Sequence, residues 1–145
     1  MIYIDRITNI CTSDYDEVWW IVRSPDILPQ KEKLVQSLSP SRELFLRYRE
    51  AFHAEQFGPE FFQNVYVPQF IAELAKNEEA EADLNYLCRE SSRRNIVLGC
   101  YCEDEELCHR SIIAGILLGM GAEIQTNQEY RKYYEMLCRT CFIQL

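Results

Sequence analysis

The stretch Asn95-Ile-Val-Leu-Gly-Cys100-Tyr-Cys102 decides the fold of this chain. It is continuously apolar rather than alternating, which predicts a strand buried on both faces at the centre of a sheet. An acidic turn follows over Glu103-Asp-Glu-Glu-Leu107, and Cys108-His109-Arg110-Ser111 then leads into a short buried helix over Ile112 to Met120. The second half of the chain is therefore organised around a strand, a turn and a helix.

Further strands and helices flank this unit. The β-favouring segments Ile2 to Ile4 and Val18-Trp-Trp-Ile-Val22 predict two strands upstream, and Ala122-Glu-Ile124 a short one downstream. Apolar residues at helical spacing predict helices from about Ser41 to Phe52, near Gly58-Pro59-Glu60, over roughly Pro68 to Arg89 and over Gln128 to Cys141, with 25–41 largely irregular. This order predicts an α/β fold, a single layered domain over residues 1–145 with a small, mainly parallel sheet flanked by helices.

Two helices carry more detailed predictions. In the helix that opens at Ser41, Leu44, Phe45 and Tyr48 are expected to form the apolar face, while Arg42 and Arg49 belong to the solvated face. In the buried helix, Gly115 and Gly119 lie four residues apart, a spacing that lets a helix approach a sheet closely. The acidic run from Glu78 to Asp83 is expected to be a solvated face or a turn between helices.

Composition limits the classes of function. The chain has 145 residues, of which 48% are hydrophobic, so it can bury a proper core. Its net charge of -8 disfavours bulk binding of nucleic acid, although a local basic pocket is compatible with that charge. The early charges after Met1 and the short apolar stretch from Ile112 to Ala122 predict a cytoplasmic protein without a membrane span. The seven cysteines are then expected to be reduced thiols, metal ligands or core residues.

Residues with reactive side chains concentrate at the strand-to-helix junction. Cys100, Cys102, Cys108 and the dipeptide His109-Arg110 are placed where parallel α/β sheets usually bind ligands, at the carboxyl end of a strand. Arg23 ends another strand at the same edge if the sheet is parallel. Guanidinium groups facing a helix amino terminus favour phosphate or carboxylate. The candidate ligand-binding residues are therefore Arg23, Arg110 and Ser111.

Three interpretations of the cysteines remain open. In the first, Cys108 is a catalytic nucleophile whose thiolate is favoured by the helix dipole and by Arg110, with His109 as the second catalytic residue. In the second, Cys100, Cys102, Cys108 and His109 are metal ligands, to which Cys138-x2-Cys141 could add more, and zinc is the expected ion. In the third, the cysteines fill the core and His109 bonds to the local backbone.

Several segments resemble the domain of unknown function 488 family. They are Trp19-Trp20-Ile21-Val22-Arg23-Ser24-Pro25, Leu38-Ser39-Pro40-Ser41-Arg42-Glu43-Leu44 with Tyr48 after it, Phe62 and Tyr66 followed by Phe70, and Ile96-Val-Leu-Gly-Cys100 with Cys108-His109-Arg110-Ser111. The resemblance covers nearly the whole chain and implies the α/β fold and the position of the site rather than a reaction. Relatives look to have Asp-Val-Arg where this chain has Ile21-Val22-Arg23. The resemblance therefore implies a role for Arg23 but not for a carboxylate at position 21.

The sequence thus leaves two classes of function. The first is a protein that binds or acts on a small anionic ligand, phosphate-like or nucleotide-like, through Arg23 and Arg110 with Cys108 or His109 as reacting groups. The second is a non-catalytic interaction module that zinc could stabilise through the same cysteines. Neither class requires bulk nucleic-acid binding or a membrane.

Overall fold

A four-stranded sheet forms the centre of the computed structural model, which describes residues 1–25 and 29–144. The strands are β1 (Ile2–Arg6), β2 (Glu17–Trp20), β3 (Lys33–Leu34) and β4 (Ile96–Cys100), and their order across the sheet is β1-β4-β2-β3. Every pairing is parallel. The predicted α/β class and parallel sheet are confirmed.

The central strand is the one predicted from the apolar stretch. β4 pairs with β1 on one side and β2 on the other, and all five of its residues are buried. Because the strands are parallel, β4 ends at Cys100 on the same edge of the sheet at which β2 ends at Trp20. The residues that follow these two strands therefore meet at one edge.

Helices cover the sheet and account for most of the other elements. They are α1 (Arg42–His53), α2 (Pro59–Phe61), α3 (Val67–Ala75), α4 (Glu78–Glu90), α5 (His109–Gly119) and α6 (Lys132–Gln144), with a π-helical turn over Phe62–Tyr66 that joins α2 to α3. Among the described residues, no helix combines the length and the apolar character needed to cross a membrane.

The predicted helix over Pro68 to Arg89 is wrong as a single element. It is interrupted at Asn77, whose side chain accepts a hydrogen bond from the Ala80 N–H at 3.1 Å and so caps the amino terminus of α4. The acidic residues from Glu78 onward occupy the first turn of that helix, where the helix dipole favours negative charge. The run is therefore part of a helix end rather than a turn.

Two predictions about strands also need correction. β3 lies within the segment expected to be irregular and pairs with β2 through only Trp19 with Lys33 and Trp20 with Leu34. The strand expected near Ile124 is reduced to one isolated bridge with Ile2. Both segments are too short to show a periodic pattern in the sequence.

The helix α1 begins where Ser41 caps it. The Ser41 hydroxyl accepts the Leu44 N–H at 3.1 Å and donates to a Glu73 carboxylate oxygen, and the Ser41 N–H donates to the other oxygen at 2.9 Å. Leu44 is fully buried as predicted, but Phe45 is 41% exposed. The prediction that Phe45 belongs to the apolar face is wrong, because each residue turns about 100° around the helix from the one before it.

The glycines of α5 allow a close contact with another helical segment and not the predicted contact with the sheet. A Cβ on Gly115 would collide with the backbone carbonyl of Tyr130, and a Cβ on Gly119 would collide with the side chain of Tyr134. Both tyrosines belong to the carboxyl-terminal helical segment. The small residues therefore let α5 pack against that segment.

Candidate functional site

Three cysteine sulfurs meet at the end of the central strand. β4 ends at Cys100, a 3-10 turn over Glu105–Leu107 reverses the chain, and Cys108 adopts an extended conformation just before α5. This path places Sγ of Cys108 2.8 Å from Sγ of Cys100. With Cys102, the three sulfurs lie within 4.8 Å of one another. We call these three residues the cysteine cluster.

A buried arginine contacts the cysteine cluster. Arg110 is 3% exposed, and its Nη1 donates to the Cys102 carbonyl at 2.7 Å and to Sγ of Cys100 at 2.9 Å. Sγ of Cys108 lies farther away, at 3.8 Å. No carboxylate among the described residues forms an ion pair with Arg110, and its Nε finds no hydrogen-bond partner there. A buried guanidinium without a carboxylate needs another anionic group, and the nearest candidate is sulfur.

The pKa values of the cysteine cluster separate in the direction that this contact predicts. Hydrogen bonds from the thiols of Cys102 and Cys108 hold the pKa of Cys100 well below its ordinary value, and the nearby His109 and Arg110 add to the effect. The same hydrogen bonding to Cys100 raises the pKa of Cys102 to about 12. Burial raises the pKa of Cys108 well above its ordinary value. These directions favour the thiolate form at Cys100 over that at Cys102 or Cys108.

This arrangement differs from the prediction for Cys108. The sequence predicted that the helix dipole and Arg110 would favour a thiolate there, but Cys108 is 1% exposed and its sulfur faces Cys100 rather than solvent. Burial disfavours the charged form of a thiol and outweighs the dipole at this position. Cys100 is also buried, at 0% exposed, but its pKa is lowered rather than raised. The catalytic role of Cys108 stays a prediction.

His109 connects the start of α5 to the end of β2. Its Nε2 lies 2.5 Å from the carbonyl oxygen of Ile21, and because a carbonyl only accepts, that nitrogen carries the proton. Its Nδ1 lies 3.7 Å from Sγ of Cys108. The imidazole is thus held between the backbone and the cysteine cluster, and it lines the cavity described below.

Ser111 lies behind the site. Its side chain is fully buried, and its hydroxyl donates to the Cys108 carbonyl at 2.8 Å, which satisfies a carbonyl near the start of α5. Neither Ser111 nor Arg110 is among the described residues that line the cavity. The direct role in ligand binding that the sequence assigned to these two residues stays a prediction.

A cavity of about 650 Å³ opens above the cysteine cluster. Its floor includes Cys100, Cys102 and His109. Three arginines, Arg23, Arg42 and Arg49, and four aromatic residues, Phe45, Tyr48, Tyr66 and Tyr101, also line it. None of the described lining residues is acidic, although the whole chain has a net charge of -8. The cavity is therefore positively charged and aromatic in an acidic protein.

Hydrogen bonds fix one of the three arginines. Arg23 Nε donates to the Pro40 carbonyl at 2.9 Å, and Gln36 Nε2 donates to the Arg23 carbonyl at 2.7 Å. Arg23 therefore lies at the predicted edge of the sheet, in the same cavity as His109. Arg42 and Arg49 project from α1 and are exposed. The contribution of α1 to the cavity was not predicted.

Two tyrosines complete the wall. Burial raises the pKa of Tyr48 to about 12 and that of Tyr66 well above its ordinary value, and the cysteine cluster adds to both shifts. Both hydroxyls therefore keep their protons near neutral pH and can donate hydrogen bonds to an anion. The π-helical turn ends at Tyr66, two residues before Pro68. The wider turn accommodates the pyrrolidine ring of Pro68, which in a regular α-helix would clash with the carbonyl four residues earlier. This proline is the sequence signal that points to Tyr66.

Comparison with known proteins identifies one family. A family model named DUF488-N3a and described as the active DUF488-N3 subclade matches residues 2–121. The matched stretch includes every described residue that lines the cavity and the whole cysteine cluster. No curated protein and no solved structure matches the chain.

Proposed function

The chain belongs to the DUF488 family, and we propose that its cavity binds a small anionic ligand of the nucleotide type and presents that ligand to the thiolate of Cys100. The observation that carries this proposal is the charge of the cavity. Three arginines line it and no described lining residue is acidic, in a chain that is acidic overall. Guanidinium groups bind phosphate through paired hydrogen bonds, so a phosphate-like group is the ligand feature that fits them.

The aromatic residues favour a ligand that also has a flat ring. Phe45, Tyr48 and Tyr66 offer ring faces within the same cavity as the arginines. A volume of about 650 Å³ falls in the range that small organic ligands occupy, and it exceeds what a free phosphate needs. A nucleoside monophosphate combines a stacking base with a charged group and so matches both parts of the lining.

Cys100 is the reacting group of this proposal. Its pKa is lowered and Arg110 stabilises its charge, whereas burial keeps Cys108 protonated. A displacement at this position forms a bond from Sγ to an electrophilic atom of the ligand, and the leaving group takes the electron pair of the bond that breaks. His109 and Cys108 position the sulfur in this scheme, and Arg23 binds the anion.

A ligand titration tests the binding step. Thymidine monophosphate should raise the melting temperature more than inorganic phosphate or thymidine alone, because a ligand that binds only the native state stabilises it by mass action. Arg49→Gln should reduce that shift. Arg47→Gln is the matched control, because Arg47 lies on the same helix but donates to Gln69 and does not line the cavity. If no nucleoside monophosphate shifts the melting curve, or both variants behave alike, the proposal fails.

The chemical step has its own test. A phosphate-bearing electrophile such as a haloacetamide derivative of a nucleotide should modify Cys100, and unreactive thymidine monophosphate should protect it. Cys100→Ala should keep reversible binding of the nucleotide but lose the adduct, which mass spectrometry of peptides would locate. Modification of Cys102 alone would assign the reaction to the half-buried sulfur instead and overturn the role of Cys100.

The second candidate function is a metal-stabilised interaction module. It rests on the three sulfurs of the cysteine cluster, which lie close enough together to share an ion. The contact between Arg110 and Cys100 weighs against it, because the guanidinium already occupies one side of that sulfur with positive charge. Metal analysis separates the two candidates, as argued in the Discussion.

A further inference from the structure

A stripe of alternating arginine and phenylalanine leads out of the cavity along α1. Arg42, Phe45, Arg49 and Phe52 follow one another at intervals of three, four and three residues, which places all four on one face of the helix. The first three line the cavity and Phe52 lies beyond it. We call these four residues the arginine–phenylalanine track.

The aromatic members of the track are exposed, and their ring planes are nearly parallel to that of Tyr48. Phe45 is 41% exposed and Phe52 is 59% exposed. Tyr48 lies between them, with ring centroids 6.2 Å from Phe45 and 6.0 Å from Phe52 and planes within 7° and 5° of parallel. The three rings form one stack at the surface.

The charge of the track is positive throughout. The guanidinium carbon of Arg49 lies 5.9 Å from the centre of the Phe45 ring, so cation and ring share one surface. The acidic residues of α1, Glu43 and Glu50, each follow an arginine of the track by one position. They are therefore turned about 100° around the helix, away from the phenylalanines.

We propose that the arginine–phenylalanine track binds a short stretch of single-stranded nucleic acid whose terminal nucleotide enters the cavity. This inference rests on the proposed function and extends the ligand from a nucleotide to a nucleotide within a strand. Arginines interleaved with aromatic rings are the combination that binds single strands, because bases stack on the rings while guanidinium groups contact phosphates. Phe45 and Phe52 lie about 10 Å apart along the helix axis, which is the length of about three stacked nucleotides.

A single strand fits this surface better than a duplex. Stacking on an aromatic face requires an unpaired base, and the bases of a duplex are already stacked on one another. The net charge of -8 repels a long phosphate backbone outside the track. The expected ligand is therefore a strand of a few nucleotides, consistent with the absence of bulk nucleic-acid binding that the composition predicts.

Binding measured against strand length tests the inference. Thymidine monophosphate and the dinucleotide, tetranucleotide and octanucleotide of thymidylate would be titrated by calorimetry, with the uridylate series in parallel to detect a preference for RNA. Affinity should rise about tenfold from the monophosphate to the tetranucleotide and then level off, because only about three nucleotides reach the track. It should fall as salt is increased, and a duplex of the same length should bind more weakly.

Phe52→Ala isolates the track from the cavity. Phe52 is exposed and does not line the cavity, so its replacement should leave the fold and the affinity for the monophosphate unchanged. It should lower the affinity for the tetranucleotide about tenfold, since one stacked base is lost. Arg47→Gln, on another face of α1, should change neither affinity.

The outcomes distinguish failure of the inference from failure of the proposed function. If the monophosphate binds but longer strands bind no more tightly, or Phe52→Ala leaves tetranucleotide binding unchanged, the track is not a nucleic-acid surface and the cavity proposal survives. If neither monophosphate nor oligonucleotide binds, both proposals fail. Self-association that Phe52→Ala abolishes, without any binding of oligonucleotides, would assign the surface to a second copy of the chain and overturn the inference.

Discussion

Nη1 of Arg110 lies 2.9 Å from Sγ of Cys100, and both side chains are buried beneath the cavity. Each side chain offers the other an opposite charge in the interior of the protein. The guanidinium has no described carboxylate partner, and the pKa of the Cys100 thiol is lowered. Removing one member of such a pair leaves a buried charge without a partner. The stability of the protein should therefore depend on the charge of Cys100.

The first prediction concerns the pH dependence of that stability. In the folded protein Cys100 has a lowered pKa, whereas in the unfolded chain it has the ordinary pKa of about 8.5. Below that value, unfolding takes up a proton, so the free energy of unfolding rises with pH by up to about 1.4 kcal/mol per unit. The difference in stability between the wild type and Cys100→Ala should therefore increase from about pH 6 to about pH 8.

Above about pH 8, Cys108 makes the free energy of unfolding depend on pH in the opposite direction. Its pKa is raised in the folded state, so the unfolded chain ionises first and stability falls as the solution becomes more alkaline. Urea denaturation at a series of pH values measures both effects, and replacement of the exposed Cys11 by alanine is the control. A constant difference between wild type and Cys100→Ala would show that Cys100 is not a thiolate.

The second prediction is that chelation leaves the melting temperature unchanged. A tetrahedral zinc site with bonds of about 2.3 Å separates its sulfur ligands by about 3.8 Å, whereas Sγ of Cys100 and Cys108 lie 2.8 Å apart. The cysteine cluster must therefore open, and Arg110 must move from Cys100, before the sulfurs can surround an ion. Purified protein analysed for zinc and melted with and without a chelator provides the measurement.

The opposite result would show the structural metal site on which the second candidate function rests. About one equivalent of zinc, together with a melting temperature that drops on chelation, is the behaviour of a structural site whose formation is coupled to folding. Cys102→Ser should then lower the zinc content. If Cys102 is only a thiol that donates to Cys100, the variant should lose little stability near neutral pH, because a serine hydroxyl can also donate to Cys100.

The sequence predicted which segments meet at this edge of the sheet, while their role as a site stays a prediction. The apolar run of β4 and the start of α5 were recognisable, and parallel strands bring Arg23 and the Cys100-to-Arg110 segment to one edge. Which sulfur carries the charge was not predictable, because it depends on how the 3-10 turn over Glu105–Leu107 directs Cys108 toward Cys100. Hydrogen bonds from the other two thiols then lower the pKa of Cys100, while burial raises that of Cys108.

The wall that α1 contributes to the cavity could not be predicted because it is formed by tertiary packing. Arg42 and Arg49 fit the pattern of a solvated helix face, which is how the sequence presented them. Glu73, on α3, holds the Ser41 cap and so helps to fix where α1 begins, and with it the position of both arginines. A contact between residues 32 positions apart leaves no periodic signal in the chain.

The third prediction tests that cap. Ser41→Ala removes the acceptor for the Leu44 N–H and the hydroxyl bonded to Glu73, so it should destabilise the protein by about 1 kcal/mol. It should also weaken nucleotide binding several-fold, because Arg42 is the next residue. Asn77→Ala is the control, since it removes the cap of α4 away from the cavity and should cost similar stability without changing affinity. If the wild type, Ser41→Ala and Asn77→Ala bind the nucleotide with equal affinity, the Ser41 cap does not control the site.

The last prediction concerns the packing that holds α5, the helix whose first turn carries His109 and Arg110. A Cβ on Gly115 would overlap the backbone carbonyl of Tyr130, which cannot rotate away as a side chain could. Alanine is favoured over glycine within a helix by about 1 kcal/mol, so helix propensity alone predicts that Gly115→Ala stabilises the protein. Overpacking of this kind typically costs 1–3 kcal/mol, roughly, and a clash with backbone belongs at the upper end. We therefore expect a net loss of about 1–2 kcal/mol by urea denaturation.

Gly58→Ala is the matched control for that substitution. No described atom lies within 4 Å of a Cβ at Gly58, and its φ of -170° is extended backbone that alanine adopts readily. Because Gly58 is the N-cap residue of α2 and alanine is a poorer cap, the variant should lose some stability, but less than about 1 kcal/mol. Gly115→Ala should also lower the thiolate absorbance of the folded protein, because displacing α5 moves Arg110 away from Cys100. If Gly115→Ala is as stable as Gly58→Ala, α5 does not pack on Tyr130 as described. If it is destabilised with unchanged thiolate absorbance, the position of α5 does not control the charge of Cys100.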